Sequence, residues 1–299
     1  LSLHDALPIY AVMATLSPSL FRWSDDARKK AVVDLAVQLL KGPSFDEKIL
    51  RREQERLITA IREASLKPEV ILNEAFDRKI YGDHPFARVA TEKTIRSIAP
   101  SHIQTFFKQR YIASNATMIF VGDIGQDQAS VIADRLMAAL PANSSAIFNV
   151  PPVSKLSATA SDLKVQWIEH SSLQAHVMMG LPTISRNDPD YFPMLVGNYI
   201  LGGGGFVSRL MKEVREKRGL SYSVYSYVAA GKQIGPFVAG LQTQKSQARL
   251  ALDVMNLTIA DFVKDGPTEV ELSSAKQNLI NGFPLRIDSN KKILDNVAN

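Results

Sequence analysis

Gly202-Gly-Gly-Gly-Phe-Val-Ser-Arg-Leu-Met-Lys-Glu-Val-Arg-Glu-Lys-Arg-Gly-Leu-Ser-Tyr222 is the stretch on which the reading of this chain turns. Four consecutive glycines let a backbone bend sharply, and the apolar spacing after them predicts a helix over 207–216. Gly219 then releases the chain into a predicted strand over 220–229. No Gly-Lys-Ser/Thr follows the glycines, which excludes a P-loop. Arg215 and Tyr222 flank the helix end with six residues between them. A cation and a hydroxyl donor held together can stabilise developing negative charge. The plainer alternative pairs Arg215 with Glu213 or Glu216 on a helix surface and packs Tyr222 at a strand edge. Lys217 and Arg218 read as solvated neighbours.

Downstream of this stretch the pattern predicts a strand over 235–241 and helices over 245–264 and 268–282. Upstream it predicts a helix over 188–201 and strands over 163–169 and 173–181, with the alternation of a half-buried sheet. A loop rich in Pro, Ala and Ser runs from Pro141 to Ala160. Before it, Ala116-Thr-Met-Ile-Phe-Val-Gly122 has the apolar character of a strand and leads into a helix over 126–140. Four further helices are expected. The first is capped by Ser24 and stopped at Gly42-Pro43, and the second is capped by Asp46 and ends before Pro68. The others cover 69–81 and the residues from Pro100 through Phe107. Every element type except coiled coil and membrane span is present, which makes the class α+β.

The unit Ser24-Asp-Asp-Ala-Arg-Lys-Lys-Ala through Lys41-Gly-Pro-Ser-Phe-Asp-Glu47 returns in outline as Ser246-Gln-Ala-Arg-Leu-Ala through Lys264-Asp-Gly-Pro-Thr-Glu269. Each is a long helix, a Gly-Pro break and a capped second helix. A separation of roughly 220 residues suits a duplicated domain and lies far outside solenoid periods.

The chain has 299 residues, a two-domain length, and 45% hydrophobic with 22% charged residues is ordinary for a globular protein. No apolar run is long enough for a membrane span. The absence of cysteine excludes disulfides and thiolate sites but leaves the compartment open. Although the net charge is +5, the basic residues are interleaved with acids and form no aromatic-lined stripe, so no nucleic-acid partner is expected. Residues 1–9 have neither a charged leader nor a small-residue cleavage site; they resemble a translated sequencing-adapter read. Residues 287–299 read as a helix still in progress. The natural protein is therefore expected to extend on both sides.

In its glycine run, Phe206-Val-Ser-Arg-Leu and Arg215/Tyr222 pair, the chain resembles the pitrilysin-like (M16) metallopeptidases. The resemblance implies two related α/β-sandwich halves of the pitrilysin/LuxS-like metallohydrolase type, each a mixed antiparallel sheet packed with helices. Here these would be 10–150 and 151–299. It also implies catalytic assistance from Arg215 and Tyr222, with Gly203, Gly204 and Phe206 contacting substrate.

The family's H-x-x-E-H zinc signature is absent from these 299 residues. Its distal glutamate ligand is the second of two glutamates seven apart; Glu53 matches the first, an outer acid, and the second falls on Ala60. A methyl group cannot bind zinc. Glu55 and Glu63 lie nearby, but Glu63 would need a local insertion to serve. The motif itself would fall roughly 75 residues before Ala60, ahead of residue 1. The remaining acids and arginines of this helix read as a solvated face, and His84, His170 and His176 read as structural.

The resemblance thus implies a subunit with no metal or cofactor of its own, working beside a zinc-bearing M16 sister subunit on unfolded peptides. Those peptides would add a strand to an open sheet edge. The periplasm or cell envelope is expected ahead of the cytoplasm. The alternatives are a complete zinc endopeptidase whose motif lies upstream, and a structural subunit like the bc1 core proteins.

Overall fold

The computed structural model describes residues 26–141, 150–153 and 165–298. The Ser24 cap, the tail at 1–9 and most of the expected loop at 141–160 lie outside these residues. The chain forms two units, each discontinuous in sequence: residues within 1–61, 90–149 and 282–299 form one, and 62–89 with 150–281 the other. Residues 62–89 thus cluster with the second half of the chain.

The described part of the first unit is helical. Helices α1 (Asp26–Lys41) and α2 (Glu47–Ala64, up to Ile61) are separated by Gly42-Pro43. The Asp46 carboxylate starts α2 by accepting from the backbone N–H of Lys48 at 2.7 Å and Ile49 at 3.1 Å, which satisfies two donors that the first turn would leave unpaired. Next come α4 (Glu92–Arg96), α5 (Pro100–Arg110) and α6 (Gln126–Met137). Gln54 donates from α2 to the carbonyls of Ile95 at 2.8 Å and Ile98 at 2.9 Å. Arg135 of α6 pairs with Asp34 of α1. Val33, Ala36, Ile58, Ile95 and Leu136 are buried.

One expected strand of this unit does not form. Residues 116–121 carry the apolar run but have no ladder partner among the described residues, and Phe120 is exposed. Apolarity marks a segment fit for a sheet, but a strand exists only where a neighbour completes its backbone bonds.

The second unit holds α3 (Pro68–Tyr81) and a three-stranded antiparallel sheet in the order β1 (Gln174–Ile184), β3 (Gly235–Gln244), β2 (Val224–Val228). Residues 165–170 also lack a strand partner, so the strand expected at 163–169 is absent from its described part. Helix α7 (Tyr191–Asn198) precedes the glycine run, and α8 (Ala248–Asp265) and α9 (Glu269–Arg286) follow the sheet.

Register separates the two faces of this sheet. Val177, Leu241 and Val224 align across the strands and point toward α8, where Ala251, Leu252 and Met255 close a core with Leu210, Val214 and Leu220. Gly180 lies on the opposite face, where a Cβ would come within 2.9 Å of the Phe76 ring of α3. Helix α10 (Asn290–Ala298) belongs to the first unit.

Both helix-break-helix units read from sequence form as local structure. Helices α1 and α2 flank Gly42-Pro43, and α8 and α9 flank Gly266-Pro267. At the second break Thr268 and Glu271 form a reciprocal cap: the Glu271 carboxylate accepts from the Thr268 N–H at 2.9 Å, and the Thr268 hydroxyl oxygen accepts from the Glu271 N–H at 3.2 Å. Gly266, at φ +70, ends α8.

Candidate functional site

The glycine run is shaped by what it touches. Helix α7 leads into a π-helical turn at Tyr199–Gly203, closed by the Gly204 N–H donating to the Tyr199 carbonyl at 2.8 Å. A Cβ on Gly202 would meet the Ser226 backbone nitrogen at 2.6 Å and Leu210 at 2.8 Å. One on Gly203 would meet Asn198 Nδ2 at 2.6 Å, and one on Gly204 the Tyr199 carbonyl oxygen at 2.6 Å. Gly203 and Gly204 are thus backbone-packing positions. Their predicted contact with substrate is not visible in these distances.

Gly205 takes a left-handed φ of +63 and opens the short 3-10 turn Gly205–Val207 that presents Phe206. The wholly buried Ser208 locks this turn, its hydroxyl donating to the Gly205 carbonyl at 2.7 Å.

The helix expected over 207–216 starts only after that turn and is wound as π-helix from Met211 to Glu216. Its end matches the sequence reading. Gly219, at φ +61, turns left-handed and donates to the Arg215 carbonyl at 2.9 Å. Two hydroxyls then pin the chain to the end of β3. Thr243 donates to the Leu220 carbonyl at 2.5 Å, and the buried Ser221 hydroxyl lies 2.7 Å from the Gln242 carbonyl. Tyr222, between these pinned residues and β2, is left 85% exposed.

Arg215, Tyr222 and Phe206 meet. The Arg215 guanidinium carbon lies 4.8 Å from the centre of the Tyr222 ring and 4.7 Å from that of Phe206, over the face of each. Glu213 does not take Arg215: its carboxylate is bound by Lys217 at 2.6 Å and Arg218 at 2.8 Å. Lys217 first and Arg218 second hold the Glu213 carboxyl below its ordinary range. These two cations, read from sequence as merely solvated, leave Arg215 to the aromatic rings. The arrangement sets the guanidinium of the partly buried Arg215 beside an exposed phenol, a chemistry suited to a carbonyl oxygen or carboxylate.

Glu53 and Glu55, two acids of α2 singled out from sequence, are engaged by arginines. Arg56 and Arg52 bind the Glu53 carboxylate at 2.7 and 3.0 Å and hold its carboxyl below the usual range. Glu55 pairs with Arg96 at 2.7 Å, and Ala60 is exposed. Among the described residues no three His, Asp or Glu side chains converge as metal ligands. His84 accepts from the Phe86 N–H at 3.1 Å and meets the Pro151 carbonyl at 2.8 Å. His170 accepts from the Ser172 N–H at 3.0 Å. Both rings hold loops.

The family described as the peptidase M16 inactive domain matches residues 97–279, more than half of the chain. The chain belongs to the peptidase M16 family. An uncharacterized zinc protease of Streptomyces coelicolor is 25% identical to this M16 chain over 274 residues, covering 89% of it and 58% of the relative. The non-peptidase homolog YmxG of Helicobacter pylori is 26% identical over 267 residues, covering 88% of this chain and 60% of that one. The crystal structure of a peptidase M16 inactive domain from Pseudomonas fluorescens superposes with a TM-score of 0.83 at 31% identity, covering 92% of this M16 chain and 65% of its own. The M16 chain therefore spans about three-fifths of the length of these curated relatives.

Proposed function

We propose that this M16 chain is the subunit of a peptidase pair that supplies Arg215 and Tyr222 to a chamber for unfolded peptides, while a zinc-bearing M16 partner supplies metal and base. The observation that carries this reading is the exposed Tyr222 phenol held against the Arg215 guanidinium. Tyr222 is 85% exposed, so its own burial does not account for its place beside Arg215. Arg215 would bind the peptide backbone and the phenol would donate to the oxygen that gains charge when the scissile carbonyl is attacked. The arginine-engaged acids of α2 and the methyl of Ala60 support placing the metal outside this chain.

The test is to capture the M16 partner with the tagged chain and to follow cleavage of an internally quenched unstructured peptide by the pair. Activity that needs both chains, is lost with a chelator and collapses with Tyr222→Phe supports the reading. Unchanged cleavage with Tyr222→Phe would reduce this chain to a structural subunit.

The name zinc protease carried by the Streptomyces relative favours a second reading, in which the natural protein is itself a zinc endopeptidase. Metal analysis of the protein expressed from its complete reading frame separates the two: stoichiometric zinc supports the second, none the first.

A further inference from the structure

We propose that Phe206 is the positioning residue of Arg215, holding the guanidinium by its ring face so that the N–H edges stay turned to a peptide oxygen. The proposal rests on the peptide-binding reading of the same site and adds a residue and a mechanism to it. Four observations carry it. The Arg215 guanidinium carbon lies 4.7 Å over the Phe206 ring centre, as close as it lies to Tyr222. Phe206 is 65% exposed, so its phenyl contributes little to the core. The turn that presents it is built from two restrictive elements, the left-handed Gly205 and the buried Ser208 hydroxyl on the Gly205 carbonyl. Glu213, one of the two acids that the sequence offered to Arg215, is held by Lys217 and Arg218.

An arginine held by a carboxylate spends its donors on that carboxylate. Held by a ring face, it keeps every N–H for a ligand, because the cation–π attraction acts perpendicular to the guanidinium plane. Phe206 and Tyr222 then have different tasks: both steady the cation, but only Tyr222 carries a donor of its own.

The experiment compares wild-type chain with Phe206→Leu and Phe206→Tyr in two measurements. The first is the proton NMR of the Arg215 side chain, whose Nε–H and δ-methylene signals are shifted upfield by rings stacked on them. Phe206→Leu is expected to move these signals downfield while Phe206→Tyr leaves them shifted. The second is the affinity of a fluorescently labelled unstructured peptide. Phe206→Leu is expected to weaken it by about two- to five-fold, the scale of an exposed cation–π contact, and Phe206→Tyr to restore it. Thermal unfolding confirms that each variant folds.

Unmoved Arg215 signals in Phe206→Leu would overturn the proposal, as would equal weakening by Leu and Tyr. If the wild-type chain binds no peptide, the peptide-chamber reading fails while the NMR comparison still decides whether Phe206 holds Arg215.

Discussion

Glu271 grips the Arg209 guanidinium through both carboxylate oxygens, at 2.9 and 2.7 Å, while the same guanidinium donates to the Gly266 carbonyl at 2.8 Å. The pair ties the segment that leads to Arg215 to the turn between α8 and α9, and Arg209 also lies over the Phe262 ring. Arg209 is the main reason the Glu271 carboxyl falls from 4.5 to about 2, with bonds from Thr268 adding to it. A depressed carboxylate stabilises the fold above its unfolded value and loses that contribution as pH falls through the folded one. Unfolding free energy measured in urea is expected to drop between pH 4.5 and about 2 by on the order of 2–3 kcal/mol from this group. Glu271→Gln should flatten that part of the profile; an unchanged profile would refute the assignment.

Gly202→Ala and Gly205→Ala should separate close packing from backbone strain. The Gly202 position has the Ser226 nitrogen 2.6 Å from any added Cβ, whereas Gly205 faces open space at a φ of +63. Chemical denaturation is expected to show a loss of about 2–3 kcal/mol for the first and about 1 kcal/mol for the second. Equal losses would mean that the glycine run relaxes freely around Ser226.

Asn198 and Ser226 exchange two bonds: the Ser226 hydroxyl donates to Asn198 Oδ1 at 2.8 Å, and Asn198 Nδ2 donates to the Ser226 carbonyl at 3.2 Å. Ser226 is only 3% exposed, so removing either partner strands a polar group. Asn198→Ala and Ser226→Ala should each cost about 1–3 kcal/mol, and the double variant less than their sum. Strict additivity in a double-mutant cycle would show that the two side chains do not act together.

Tyr222→Phe should leave the unfolding midpoint unchanged within about 0.5 kcal/mol, since the residue is 85% exposed. In the reconstituted pair it should lower peptide turnover by about 10²-fold, the scale of losing one oxyanion donor. A variant that loses stability and activity together would point to a structural phenol.

The residues that punctuate the chain were the ones legible in sequence. Asp46, Gly42-Pro43, Gly219 and Gly266-Pro267 act through their own backbone or their nearest neighbours, and each stops or starts an element where its chemistry requires. Strands were less legible, because a strand depends on a partner remote in sequence. The run at 116–121 has a strand's composition and no ladder among the described residues, while the equally apolar β1 finds β3. The π-helical winding of Met211–Glu216 left no trace in residue type, since it alters hydrogen-bond registry within a helix and not the apolar pattern. At the site, the spacing of Arg215 and Tyr222 was readable, but the partner of Arg215 was not. Whether an arginine meets Glu213 or a ring depends on which other cations reach Glu213 first, and that is decided by side-chain geometry around the turn.

The Asn198–Ser226 exchange also bears on how the sheet ends. The Ala229 N–H donates to the Pro236 carbonyl at 2.9 Å, a register that turns the odd-numbered residues of β2 toward β3 and the Ser226 backbone outward. Outward, that backbone meets the Asn198 amide and the close-packed Gly202 and Gly203. A foreign strand arriving there finds the carbonyl of the middle residue already engaged by Asn198 and the glycine run packed close to its nitrogen. The glycine run therefore acts as a stopper on the β2 edge, a guard against the edge-to-edge stacking that open sheets invite.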